Sequence, residues 1–235
     1  MMLATRSTDE ERMDTDCRDF ADYRRCLSDL AQVNAVTLTH RPMLGWLSRA
    51  TVGLDRFSLL DVACGHGDAL RRIHRWTRRR AILAQLEGID LNPWATQVAS
   101  EATDPAAPIT YRTGDVFSLD ADISFDFIIS SQFTHHLTDA QVVQFIRWME
   151  AHARLGWFIG DLHRHWLPYH AFGPIAWAAR WHRFVRSDGR ISIARSFVPA
   201  DWRRLIAQAS LMENDVTLSW HLPFRLCVAR RCPER

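Results

Sequence analysis

Between Asp16 and Trp46 the apolar residues Phe20, Tyr23, Leu27, Leu30 and Val33 recur three or four positions apart, the spacing of one buried helix face. One or two helices are predicted here, ending before Pro42, because the residue ahead of a proline is driven out of the helical region. Past Phe57 the pattern changes. Short apolar runs at residues 58–63, 84–90, 110–112, 125–131 and 156–161 alternate with amphipathic stretches that start near Asp68, Pro93 and Thr138. Such alternation predicts parallel strands joined by crossover helices, and Thr138 with Asp139 makes a suitable helix N-cap. Residues 164–195 break the rhythm with a segment rich in Trp, His and other rings, too long for a plain connection, and it is read as an inserted helical lid or a partner surface. A helix opened by Pro199, with Asp201 in its first turn, precedes "DVTLSWHL" and "FRLCVAR", which are expected to form an antiparallel hairpin.

The expected fold is therefore α/β: a doubly wound, Rossmann-like, mostly parallel seven-stranded sheet with an antiparallel C-terminal hairpin. One domain spans residues 1–235, divided into a disordered stretch 1–15, an N-terminal helical cap 16–56, a core 57–161, the lid 164–195, and a C-terminal helix and hairpin 196–235. Disorder at the start is inferred from many charges and few apolar groups.

Composition narrows the function classes. With 235 residues, 47% of them hydrophobic, and a formal net charge of +2, the chain can bury a sizeable core and carries no overall charge that would draw it to nucleic acid. Every basic side chain apart from histidine is arginine, which is taken as a lineage bias. The cluster Arg71, Arg72, Arg75, Arg78, Arg79 and Arg80 falls where a helix ends, where cations complement the helix dipole, so it is read as a solvated face. No apolar stretch reaches the roughly 18 residues of a membrane span, and "MMLATRSTDEERMDTD" is too polar for a signal peptide, so a cytoplasmic location is expected. The 5 cysteines show no metal-like spacing; reduced thiols and no metal are expected. The expected partner is a small-molecule substrate, with monomer and homodimer both open.

The stretch "LLDVACGHGDAL" reads as a strand, a glycine turn and a helix start. A dinucleotide turn needs a third glycine and a helix N-terminus free for pyrophosphate. Here Leu70 stands at the third-glycine position, and Asp68 would repel phosphate. Asp61 at the strand end, small residues at Ala63, Gly65 and Gly67, and Asp90 at the end of the next strand suit an amino acid joined to a nucleoside instead. Their backbone allows close approach, and a carboxylate accepts ribose hydroxyls.

At these residues the sequence resembles the class I S-adenosylmethionine-dependent methyltransferases, whose first motif is an acidic residue followed by G-x-G-x-G. "LEGIDLNPWA", "TGDVFSL" and "FDFIISSQFTHHLTD" are similar to the later motifs in order and interval. The resemblance implies S-adenosylmethionine as cofactor, Asp90 on the ribose with Leu91 beside the adenine, Asp115 on the adenine amino group, and the Val116 backbone N–H on the ring. Ser131 and Gln132 follow the fourth strand at the same site. Ala63 departs from the family's glycine.

In an open α/β sheet the ligand lies beyond the carboxyl ends of the strands, which places His135 and His136, then Asp161, His163 and Arg164, near the reacting methyl group. Methyl transfer is an in-line displacement, helped by alignment and by a base. An imidazole near pKa 6.5 suits a phenol near pKa about 10. His135 and His136 are the first base candidates; the plainer reading is that one of them positions the loop. His163 oriented by Asp161 is the second candidate, against a capping carboxylate with a surface histidine. Trp166, Tyr169 and His170 of the lid, with Arg164, offer rings and charge to a flat acceptor, against simple lid packing. His40 and Arg41 fall near the cofactor mouth if the N-terminal helices cap it, and Arg41 is the candidate for the methionine carboxylate, against a surface arginine. The function expected is O-methylation of an aromatic or polyketide-like metabolite. The alternatives are C- or N-methylation of a small metabolite and a cofactor-binding partner subunit without activity.

Overall fold

The computed structural model describes residues 3–232. Met1 and Met2, within the stretch expected to be disordered, and residues 233–235, at the end of the C-terminal segment, lie outside the described residues.

A 7-stranded sheet organises the chain, in the order β3-β2-β1-β4-β5-β7-β6. The elements run α1 Arg12–Asp16, α2 Phe20–Val36, α3 Arg41–Ala50, β1 Arg56–Val62, α4 Asp68–Arg78, β2 Leu83–Asp90, α5 Pro93–Glu101 and β3 Ile109–Thr113. They continue with β4 Phe125–Ser131, α6 Asp139–His152, β5 Ala153–Leu162, α7 Trp166–Ala178, α8 Arg183–Arg195, α9 Pro199–Gln208, β6 Val216–His221 and β7 Arg225–Arg231. Strands β1 to β5 pair in parallel, and β7 runs antiparallel to both β5 and β6.

The central strands are covered on both faces, which is why they read as continuous apolar runs rather than alternating ones. Leu59, Phe127 and Phe158 pack against Met43, Trp46 and Leu47 of α3 and Leu70 and Ile73 of α4. Their neighbours Leu60, Ile128, Trp157 and Ile159 point to the other face, against Phe145, Ile146 and Met149 of α6 and Trp202, Leu205 and Ile206 of α9. Helix α6 starts at the expected place, with a capping box in which Thr138 and Gln141 satisfy each other's backbone N–H groups. Among the described residues no helix is long and apolar enough to cross a membrane, and no cysteine is in a disulfide.

The charged N-terminal stretch is the main departure. Instead of being disordered, it is strapped across the ends of α6 and α8. The Arg6 guanidinium donates to Asp139 at 2.6 Å, to the carbonyls of Arg195 at 2.7 Å and Leu137 at 2.8 Å, and lies over the Phe197 ring. Ser7 N donates to Ala194 O at 3.0 Å, and Arg195 donates back to Asp9 O at 2.6 Å. Composition misled because each of these charges finds its partner more than a hundred residues away.

The turn after β1 is built on left-handed backbone: Ala63 at φ 57°, Gly65 at 50° and Gly67 at 75°. Glycine adopts this region freely, whereas an L side chain is strained there by roughly 1–2 kcal/mol. A Cβ on Gly67 would also run into the Tyr111 ring. Ala63→Gly is expected to be neutral or to stabilise by up to about 1 kcal/mol, and Gly67→Ala to destabilise by more than about 1 kcal/mol, in urea unfolding followed by circular dichroism.

Candidate functional site

The carboxyl ends of β1, β2, β4 and β5 open into one cavity of about 700 Å³, roofed by α1 and α2. The amphipathic spacing of α2 explains the roof: Tyr23, Leu27 and Leu30 turn inward, and Tyr23 meets the Trp94 ring edge-on at 5.7 Å.

One half of the cavity is acidic. Asp61, Asp68, Asp90 and Asp115 all line it, with Ala63 and Gly65 between the first two. Asp61 is 2% exposed, and burial, with Asp68 and Asp90 adding repulsion, raises its pKa well above the carboxylate range. Asp68 titrates below its ordinary value: burial works against ionisation, but His40 at 2.7 Å and the Asn34 amide at 3.3 Å outweigh it. Asp90 accepts the backbone N–H groups of Gly65 at 2.9 Å and Asn92 at 3.0 Å, which ties the two strand ends together. Asp115 caps the short helical turn Val116–Ser118 through Phe117 N. Leu91 sits at the rim, Val116 in the wall, and Ser131 and Gln132 on the opposite side. Gly67 lies behind the turn, against Tyr111.

The other half holds the histidines. Asp161, wholly buried at the end of β5, accepts from Thr134 Oγ1 at 2.5 Å and from the backbone N–H groups of His135 at 3.0 Å and Leu162 at 2.7 Å. It also meets His135 Nδ1 at 2.7 Å. On the far side of that ring, Nε2 faces Glu11 Oε1 at 3.4 Å. Burial disfavours the imidazolium, yet Asp161 and Glu11 together raise the His135 pKa to about 9, and both acids are depressed to about 2. His136 stacks on His135 with ring centroids 4.4 Å apart and brings its Nε2 to 3.8 Å from the same Glu11 oxygen. Phe117, Phe133, Met13 and Cys17 complete this half with apolar wall.

Several expectations are corrected by this geometry. Both nitrogens of His135 are engaged, by Asp161 and by Glu11, and Asp161 spends its oxygens on the turn that carries His135. The backbone of His163 and Arg164 is held by the carbonyls of Phe224 at 2.9 Å and Phe197 at 3.0 Å, which directs both side chains away from the cavity. His163 packs among His165 and Phe224. Arg164 is 5% exposed and satisfies Ser196 O at 2.8 Å and Asp201 at 3.1 Å, so it is a structural cation rather than a substrate contact. Helix α8 of the lid packs on the roof helix α2 and brings Ser192 to the cavity wall, whereas the α7 residues expected at the site do not reach it. Trp166 is 62% exposed, Tyr169 lies under Arg190 at 4.5 Å, and His170 packs on Tyr169; none of them lines the cavity. Arg41, first residue of α3, points to solvent, and its neighbour His40, 3% exposed, reaches inward to Asp68.

The sequence reading missed Glu11, Asn34 and Arg225. Arg225 donates to Gln132 Oε1 at 3.1 Å, and the Gln132 amide donates to Asn34 Oδ1 at 2.5 Å, linking β7 to the roof. The only local signal was the inward face of α2, on which Asn34 follows Leu27 and Leu30 at helical spacing.

Comparison with known proteins agrees with the fold. Residues 59–156 match the family model described as a methyltransferase domain. No curated protein matches the sequence. Among solved structures, a plantazolicin methyltransferase in complex with SAH is 12% identical with a TM-score of 0.65, over 90% of this chain and 96% of that one. Magnesium protoporphyrin IX methyltransferase from Synechocystis PCC 6803 with bound SAM is 13% identical with a TM-score of 0.60, over 97% and 100%. Human N-acetylserotonin methyltransferase in complex with SAM is 13% identical with a TM-score of 0.63, over 91% of this chain and 56% of that one. Residues 59–156 are thus similar to a methyltransferase domain, and the described residues share the fold of these solved methyltransferase structures.

Proposed function

We propose that this protein transfers a methyl group from S-adenosylmethionine to a hydroxyl group of a small-molecule acceptor. The observation that carries the reading is the buried acidic half of the cavity: Asp61, pressed by Asp68 and Asp90, is raised well above the carboxylate range and gains from a cation. S-adenosylmethionine fits that demand, since it carries a sulfonium and an ammonium beside a nucleoside whose hydroxyls suit carboxylate acceptors. When bound, it supplies an electrophilic methyl group.

In this reading Asp61, Ala63 and Gly65 hold the amino-acid end, the two small residues admitting it close to the backbone and Gly67 shaping their turn from behind. Asp90 takes the ribose hydroxyls, and Leu91, Asp115 and Val116 hold the base. Ser131 and Gln132 close the side towards β4. The apolar wall of Tyr23, Leu27, Phe117 and Phe133 excludes water and accepts a flat ring, which favours an aromatic or polyketide-like acceptor. His136, and not His135, is the imidazole placed to meet the acceptor's hydroxyl, with Glu11 beside it. His135 holds the turn, with Nδ1 on Asp161 and Nε2 facing Glu11.

Isothermal titration with S-adenosylmethionine or SAH is expected to show one site per chain, and Asp90→Ala to weaken it roughly 10- to 100-fold through loss of charged hydrogen bonds. No heat with either ligand would contradict the reading and leave the non-catalytic subunit as the better one. Because a cation stabilises ionised Asp61, whose pKa in the free protein is raised, binding should release a proton. The measured heat should then vary with the buffer's ionisation enthalpy, and affinity should fall with pH from above the ordinary carboxylate range. Equal heats in all buffers would remove Asp61 from the site. With an identified acceptor, His136→Ala is expected to lower kcat by about a hundredfold or more; an unchanged rate would point to methylation of carbon or nitrogen.

A further inference from the structure

Outside the acidic half, the cluster that asks most for an explanation is the meeting of two imidazoles and a carboxylate on one wall. His135 Nε2 and His136 Nε2 lie 3.4 and 3.8 Å from the same Glu11 oxygen, and one ligand atom from each of the three residues falls within 4.8 Å of the others. These separations exceed the roughly 2.7–2.9 Å of a charge-assisted hydrogen bond. A tetrahedral or octahedral ion about 2.0–2.2 Å from each ligand sets neighbouring ligand atoms roughly 3–3.5 Å apart; the His135 separation of 3.4 Å falls in that range, and the His136 separation of 3.8 Å needs a contraction of a few tenths of an ångström to reach it.

A second observation points the same way. A histidine that ligates a metal through one nitrogen nearly always gives its other N–H to a carboxylate or carbonyl, which fixes the tautomer and aims the ring. His135 does this: Nδ1 is anchored on Asp161 at 2.7 Å, and Nε2 is left facing the cavity. Glu11 is likewise steadied by Ser192 Oγ, which donates to Oε1 at 2.7 Å. The turn bearing both histidines is gripped from outside, with Arg195 donating to the carbonyls of His135 at 3.0 Å and His136 at 2.9 Å. The three donors are therefore held in place by their surroundings before anything binds.

We propose that Glu11, His135 and His136 bind one divalent transition-metal ion, with Asp161 orienting His135 and the remaining coordination positions open to the cavity. Two imidazoles with one carboxylate favour zinc, iron(II), cobalt(II) or nickel(II) over magnesium and calcium, which prefer all-oxygen sets. Three protein ligands with open positions is the pattern of a metal that meets substrate, not of a structural one. The chemical consequence rests on the methyl-transfer reading given under Proposed function but moves His136 from base to ligand: any proton on His135 or His136 Nε2 would leave to solvent as the ion binds, and an acceptor hydroxyl at an open position would lose its proton to solvent more readily, the oxygen keeping its electron pair for the methyl group. The ion would also clamp the N-terminal strap, through Glu11, onto the turn after β4.

The test is titration of chelator-treated full-length protein with cobalt(II), followed by its visible d–d absorption, with SAH binding measured on the same sample. One cobalt(II) per chain is expected, with Glu11→Gln and His136→Ala each weakening it at least tenfold while SAH affinity and circular dichroism stay unchanged. Asp161→Asn is expected to weaken it about 10- to 100-fold without removing a ligand. Protein that binds SAH but shows no cobalt(II) spectrum, or an affinity unaffected by Glu11→Gln and His136→Ala, would overturn the site. Cobalt(II) bound without SAH would uphold the metal site and overturn the methyl-transfer reading instead.

Discussion

Asp161 is the constraint on which the active half of this protein depends. A carboxylate with no solvent exposure is tolerated only if its lone pairs are filled and its charge is matched, because the cost of taking it out of water is several kcal/mol. Thr134, His135 and Leu162 fill the lone pairs, and the His135 ring matches the charge. The same ring then faces Glu11, so one buried anion at the end of β5 fixes the turn after β4 and calls in the N-terminal strap. A chain that looked loose at its start is ordered because the sheet end needs its carboxylate.

The two halves of the cavity follow from opposite electrostatics. On the β1 and β2 side, acids outnumber nearby cations and the site asks for positive charge from a ligand. On the β4 and β5 side, acids and imidazoles alternate in one chain, Asp161, His135, Glu11, His136, and the charge is balanced within the protein or by an ion. Between them runs a polar seam from Arg225 through Gln132 and Asn34 to Asp68 and His40, which joins the last strand, the roof and the glycine turn. Roof and floor are thus coupled through side chains, although they come from distant parts of the sequence.

Most of the sheet was legible because strands buried on both faces leave apolar runs, and because Thr138, Asp68 and Pro93 mark helix starts by local chemistry. The acidic half was legible for a similar reason: Asp61, Asp90 and Asp115 are tied to strand ends, and strand ends are local. What was not legible is where side chains go once the chain leaves the sheet. His163 stands only two residues beyond Asp161, yet its backbone is captured by Phe224 and α7 follows it outward, while Ser192 of α8 turns back to Glu11. The ring-rich composition of α7 gave its character but not its side. Glu11 and Arg6 fell in the stretch read as disordered because their partners, His135 and Asp139, are remote in sequence.

A crystal structure of the complex with SAH would test the division of the cavity most directly. The account predicts the nucleoside between Asp90, Leu91, Asp115 and Val116, the amino group at Asp61, and the sulfur turned towards His136 and Glu11. An SAH molecule whose amino-acid end lies at the histidines, or whose base leaves Asp90 and Asp115 untouched, would contradict it.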